Sequence, residues 1–272
     1  MIHPVRVIPT LIPGGDDAFI GISVGLAESR FERQRALELL RTVYVRKGLL
    51  REENPGLRLS PQACAPGSAI FVARENDEIV GTITVYRDSA IGLPIDCVHR
   101  ADIDKVRERF AAIAEVGSLA TRGGRRGRGI TAMLFLAAFR WAAVTQIRCI
   151  VACVNPSYRR FYSGLLRFEV LGLCQAHPRF QGAPSIPIGL DLAILKRRLD
   201  TAHRAASDPL HKLLRFVDAA RAFGGLGSAT YLQWSDDEIS EMIRMQQLLL
   251  SRTEYIYVMR HYSIDEMARS PQ

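Results

Sequence analysis

Two hydrophobic patterns alternate along the chain, short apolar runs with a period near two and longer stripes with a period near 3.6, and their order predicts the elements. Residues 19–27 (FIGISVGLA) read as a strand, and Ser29 with Glu32 forms a capping box opening the helix FERQRALELLRTVYVRKGLL. The Pro- and Gly-containing stretch 54–67 reads as a loop. Residues 68–74 and 78–87 are strands of a hairpin turning at 75–77, and 101–112 is a polar helix. Residues 113–121 predict a central strand, 130–145 an apolar helix, and 147–154 (IRCIVACV) a strand buried on both faces. Asn155 as cap and Pro156 at the first position start the next helix. A strand over 168–174, a loop, and a last strand over 186–195 follow, with Pro187 marking an edge or a bulge.

This order predicts an α/β chain built on a mixed, twisted sheet flanked by helices. Beyond Lys196 the pattern is helical only: residues 210–223, a helix capped by Ser235 with Glu238 at its third position, and residues 253–267. The second of these aligns Ile239, Met242, Ile243, Gln246 and Leu249 on one stripe. The expected division is therefore a sheet domain over 1–199 and a helical C-terminal extension over 200–272. Gly224-Gly225-Leu226-Gly227 reads as a helix stop rather than a phosphate loop, since no strand precedes it.

Composition changes the picture little. The chain has 272 residues, 48% apolar and 24% charged, enough to bury a full core. No run approaches the about 18 apolar residues of a membrane span, and the N-terminus lacks the pattern of a signal peptide, so a cytoplasmic location is expected. Cys64, Cys97, Cys149, Cys153 and Cys174 are odd in number and lack C-x-x-C spacing, which argues against a disulfide framework or a zinc site. The net charge of +8 points to an anionic partner, although much of the arginine lies on helix faces that solvent would cover, and nucleic acid is not favoured.

Charge is concentrated where the central strand ends. From Arg122 to Gly129 the chain reads RGGRRGRG, four arginines and four glycines between an apolar strand and an apolar helix. A strand, a basic Gly-rich turn and a helix N-terminus make an anion site, because free backbone N–H groups and the helix dipole face one spot. Neither the Walker pattern nor the dinucleotide G-x-G-x-x-G fits these glycines. Arg126-Gly127-Arg128-Gly129, behind a strand that carries Glu115, resembles the phosphate turn of GNAT-type acyltransferases, which hold the pantetheine arm of an acyl donor. Phe161-Tyr162 resembles the F-Y pair of that superfamily, although Leu165-Leu166-Arg167-Phe168 is looser than its usual continuation.

Two further likenesses narrow the family. Arg41-Thr42-Val43-Tyr44-Val45 is similar to the R-x-x-V-F segment of acyl-homoserine-lactone synthases and the related N-acyl amino acid synthases, long-chain N-acyl tyrosine synthases among them. Glu115 to Thr121 (EVGSLAT) is similar to their E-x-x-R-L-A-V, with Ser118 in place of the arginine. The helical extension and Ala176-His177-Pro178 favour the N-acyl amino acid synthases. The resemblance implies transfer of a long-chain fatty acyl group from acyl carrier protein, or from acyl-coenzyme A, to the α-amine of an amino acid. Glu115 would be the base and Tyr162 the acid for the departing thiolate. The donor arm would run along Leu119, Thr121, Arg122, Arg126, Gly127, Arg128, Gly129 and Asn155, with Arg41 and Tyr44 toward the amino acid.

Neither a permanent cofactor nor a metal is implied, only an acyl-phosphopantetheine donor. GNAT sites for coenzyme A usually carry Gln or Arg where this chain has Gly124, which suits a carrier protein lacking a pyrophosphate. Arg122, Arg125, Arg126 and Arg128, extended by Arg159 and Arg160, would then meet an acidic carrier surface. Met242, Met245, Leu248 and Leu249 suit either an acyl-tail channel or simple packing. Two alternatives stay open, a GNAT-type acetyltransferase of another small amine and a non-catalytic basic binding module.

Overall fold

The structure, a computed structural model, describes residues 5–6, 22–52, 59–123, 125–165, 167–195, 197, 231–245 and 248–263. The expected helix at 210–223 and the turn at 224–227 lie outside these residues, as do the side chains of 125–129 and of Phe161.

In chain order the strands are β1 (Val5–Arg6), β2 (Ile22–Leu26), β3 (Ala69–Glu75), β4 (Glu78–Arg87), β5 (Ile113–Thr121), β6 (Cys149–Val154), β7 (Glu169–Val170), β8 (Gln175–His177) and β9 (Ala183–Asp191). The helices are α1 (Arg30–Arg46), α2 (Asp96–Arg109), α3 (Arg125–Val144), α4 (Arg159–Leu165), α5 (Asp236–Arg244) and α6 (Arg252–Met259). The sheet order is β1-β2-β3-β4-β5-β6-β9-β7, with β8 pairing β9. Every neighbouring pair is antiparallel except β5 and β6, which are joined through α3.

The core has two layers, one on each sheet face, as a sheet with two apolar faces requires. On one face Met133, Leu134, Phe135 and Trp141 of α3 pack against Phe71, Ile83 and Ile150. Gly81 lets α3 come close: a Cβ there would lie 2.6 Å from Ile130 Cγ2 and 3.0 Å from Leu134 Cδ1. On the other face lie Ala36 and Leu37 of α1, Ile103 and Val106 of α2, and Trp234, Ile239 and Val258 from the C-terminal segment.

That segment is bonded to the sheet as well as packed on it. The Gln233 side chain accepts from the Ile70 N–H at 2.6 Å and donates to the carbonyls of Ile70 and Ala27, both at 3.0 Å. Arg33 of α1 binds both oxygens of Glu238 at 2.6 Å, with each side chain almost wholly buried. Tyr262 donates to the carbonyl of Cys64 at 3.0 Å.

Both capping boxes expected from the sequence form, Ser29 with Glu32 and Ser235 with Glu238. Several boundaries differ from expectation. α3 starts at Arg125 rather than 130, because its first turn absorbs Gly127 and Gly129. α2 begins at Asp96, whose carboxylate accepts the Leu93 N–H at 2.8 Å, and is kinked at His99. The strand expected over 168–174 shrinks to β7, and β8 forms inside the expected loop, where Gln181 (φ +53°) and Gly182 (φ +75°) fold it back onto β9.

Pro187 is not on an edge strand. β9 lies between β6 and β7, with Pro187 opposite Cys153. In a strand the N–H and C=O of one residue point the same way, and the Pro187 carbonyl accepts from Leu171 at 2.9 Å. Its missing donor therefore faces the side where β7 has already ended, and no bond to β6 is lost.

Candidate active site

The site forms where one ladder of the sheet stops. β5 pairs with β6 only at Ile113↔Cys149, Ala114↔Ile150 and Glu115↔Val151, yet β5 runs on to Thr121 beside β4. From Val116 onward its β6 side is open, a gap between parallel strands. The β4–β5 register shifts between Thr82 and Thr84, opposite a stretch in which Ser118 adopts φ +48°. A bulge of this kind re-aims side chains, and a non-glycine residue in the left-handed region stores strain found most often at functional sites.

Glu115 is the last paired residue before the gap, and it is 4% exposed. Its Oε2 accepts the Ile95 N–H, at the start of α2, at 2.7 Å. Burial raises its pKa to about 8; the Ile95 N–H opposes this, Asp96 adds to it, and the charge of Arg179 opposes it. The result is a carboxyl group that exchanges its proton near neutral pH.

Tyr86 of β4 stands opposite Glu115 and shares a hydrogen bond with the Ser118 hydroxyl. Burial lifts its phenol to about 12. Tyr44 reaches the same place from α1: burial first, then the neighbouring Tyr86, Tyr162 and Glu115, push its phenol above the ordinary range. Tyr162 comes from α4 on the other face, buried among Phe135 and Phe168, each with a ring centroid 5.7 Å away. Burial raises its pKa to about 12, so it keeps its proton. Tyr44 thus lies within electrostatic reach of both sequence-selected catalytic residues, one from each face of the sheet.

The remaining candidates are spread around the gap. Leu119 and Thr121 are half-buried on the open part of β5. Arg122 is exposed and ion-paired with Glu78. Gly127 and Gly129, with Arg126 and Arg128, occupy the first turn of α3. The Asn155 side chain is used locally, accepting the Ser157 N–H at 3.0 Å and its hydroxyl at 2.7 Å. Arg41 donates to the Glu52 carbonyl at 2.7 Å.

Tyr86 and Arg179 have no signal in the sequence. Tyr86 is brought to Glu115 by register between strands separated by α2, and Arg179 by the turn after β8. Together the groups supply a proton acceptor, a proton donor and a slot with unpaired strand edge, which suits attack of a nucleophile on an extended, backbone-pairing substrate.

A family model described as N-acyl amino acid synthase FeeM matches residues 35–191. Among solved structures, FeeM, an N-acyl amino acid synthase from uncultured soil microbes, is 25% identical, with a TM-score of 0.56 over 63% of this chain and 91% of that one. An acetyltransferase of the GNAT family from Streptococcus pneumoniae is 14% identical, with a TM-score of 0.46 over 62% and 98% of the two chains. A putative N-acetyltransferase from Lactobacillus plantarum is 16% identical, with a TM-score of 0.45 over 63% and 99%. A search of curated proteins gives no match.

Proposed function

The chain belongs to the N-acyl amino acid synthase FeeM family, and is thus an acyltransferase of GNAT-type fold; from that premise we propose that it transfers a long-chain fatty acyl group from acyl carrier protein, or from acyl-coenzyme A, to the α-amine of an amino acid. The observation that carries this reading is the buried Glu115, with a pKa of about 8, at the point where β5 and β6 part.

In this reading the pantetheine arm lies in the gap, along Leu119 and Thr121, and its phosphate meets the N–H groups that begin α3. The amine, having given its proton to Glu115, attacks the thioester carbonyl. The tetrahedral intermediate collapses, the C–S bond breaks, and the thiolate takes a proton from the Tyr162 hydroxyl. Tyr44 and Tyr86 wall the acceptor side. The sequence carries Arg122, Arg125, Arg126 and Arg128 from the end of β5 into the first turn of α3, and Arg159 and Arg160 at the start of α4, a positive charge suited to an acidic carrier. No helix among the described residues is long and apolar enough to cross a membrane. Residues 200–272 are proposed as an extension of the catalytic domain 1–199.

The test is incubation with long-chain acyl-carrier protein and a mixture of amino acids, followed by mass spectrometry. N-acyl amino acids are expected. Acetylated small amines from acetyl-coenzyme A, with no long-chain product, would overturn the reading.

A further inference from the structure

On a turn packed against α1 stands a cation that the proposed chemistry has not used. Arg179 is exposed on the single 3-10 turn Pro178–Phe180 between β8 and β9. The turn is fixed on several sides. The Arg179 N–H donates to Nδ1 of His177 at 3.2 Å. The Phe180 ring meets Tyr44 edge-on at 5.5 Å and lies 4.2 Å from the His177 ring, centroid to centroid. The Gln181 amide donates to the Gly48 carbonyl at 3.0 Å.

The turn therefore leans on the end of α1 that carries Tyr44. It also precedes the part of β9 that pairs with the end of β6, Ile186↔Val154. Among the described residues Arg179 makes no ion pair. Burial raises the pKa of Glu115, Tyr86 and Cys97, and the charge of Arg179 opposes that rise in each. Glu115 accepts the Ile95 N–H at the start of α2 at 2.7 Å, and His99 of the same helix lies 3.2 Å from Ser185 Oγ of β9 and 3.4 Å from Gln175 Nε2 of β8, so the carboxylate and the turn that carries Arg179 are held to one helix with no ion pair between them.

An α-amino acid carries an amine and a carboxylate of opposite charge on one carbon, which matches that arrangement. We propose that Arg179 binds the α-carboxylate of the acceptor while Glu115 faces its α-amine, with the rings of Tyr44 and Phe180 beside its side chain. The inference rests on the reading that this site acylates amino acids, and it makes Arg179 the residue that separates them from plain amines. A guanidinium suits the task because its planar fork matches a carboxylate in two parallel hydrogen bonds.

The experiment uses the full chain, a long-chain acyl thioester and two acceptor pairs that differ only in the carboxylate: phenylalanine against phenethylamine, and leucine against isoamylamine. For wild type, kcat/KM is expected to be at least about tenfold higher for the amino acids, as loss of a charged hydrogen bond implies. Arg179→Met should lower kcat/KM for the amino acids about 10- to 100-fold, mainly through KM, and change the amines far less, only as far as loss of its charge moves the Glu115 carboxyl. Arg179→Lys should keep part of the preference. Since the residue is exposed, an unchanged melting temperature is expected for both variants.

Equal losses on amino acids and amines, no loss on either, or a wild type indifferent to the carboxylate would each overturn the inference while leaving the acyl transfer itself standing. Absence of any N-acyl product from wild type would instead overturn the reading of the reaction, and this inference with it.

Discussion

Glu115 holds its proton more tightly than an exposed glutamate, because burial disfavours the charged form more than the Ile95 N–H favours it. Between the ordinary value of 4.5 and about 8 the folded chain binds more protons than the unfolded one, so this group makes stability fall as pH rises through that window. Glu115→Gln keeps an acceptor for the Ile95 N–H and removes the charge. Thermal melts should show the variant gaining on wild type across the same window. Turnover should fall about 10²–10⁴-fold, the ordinary worth of a general base. In wild type kcat should climb with pH toward about 8, and a variant with near-normal turnover at neutral pH would remove Glu115 from the mechanism. Tyr162→Phe should cost less than this, since a thiolate leaves tolerably without protonation. An unchanged rate with a donor of poor leaving group would make Tyr162 a packing residue of the Phe135 and Phe168 cluster.

At the scale of elements, β5 and its neighbours were legible because period-two patterning and the Gly-Arg break both lie in adjacent residues; its expected span, 113–121, is the observed one. The strand expected over 168–174 is only Glu169–Val170, because its pairing depends on β9, which no local pattern announces. Pro187 misled for a related reason, since a missing donor matters only on the side where a partner strand stands. α1 and α5 are tied by Arg33 and Glu238, 205 residues apart, in a bidentate buried pair. Removing one partner of such a pair leaves an uncompensated buried charge, so Arg33→Met should cost about 3–5 kcal/mol in a denaturant titration. A loss below about 1 kcal/mol, the level of an exposed pair, would mean that water reaches Glu238 in solution.

For the whole molecule, the net charge of +8 is an argument about partners rather than about fold. If that positive charge steers an acidic carrier, the apparent affinity for acyl-carrier protein should fall as salt rises, because exposed charges farther apart than about 8 Å are screened at physiological ionic strength. Arg125→Glu, in the first turn of α3, should weaken use of acyl-carrier protein far more than use of the matching acyl-coenzyme A, which backbone N–H groups would hold. Initial rates for both donors at low and high salt decide this. Equal losses would make the turn a general phosphate cradle.

By itself the sequence determined the order of the described strands and helices other than β1 and β8, both capping boxes, the basic stretch after β5, and Glu115 and Tyr162 as candidates. All of these are set by residues a few positions apart, where hydrophobic period, cap chemistry and backbone freedom act. Only the tertiary structure decided where the β5–β6 ladder stops, which side of β9 lacks a partner at Pro187, and how Gln233 and Glu238 return to the sheet. It also decided that Tyr86 stands opposite Glu115 and that Tyr44 meets Phe180 on the turn that carries Arg179. Those are matters of register and of burial among distant segments, and a carboxylate acquires a pKa of about 8 only when such segments close over it and exclude water.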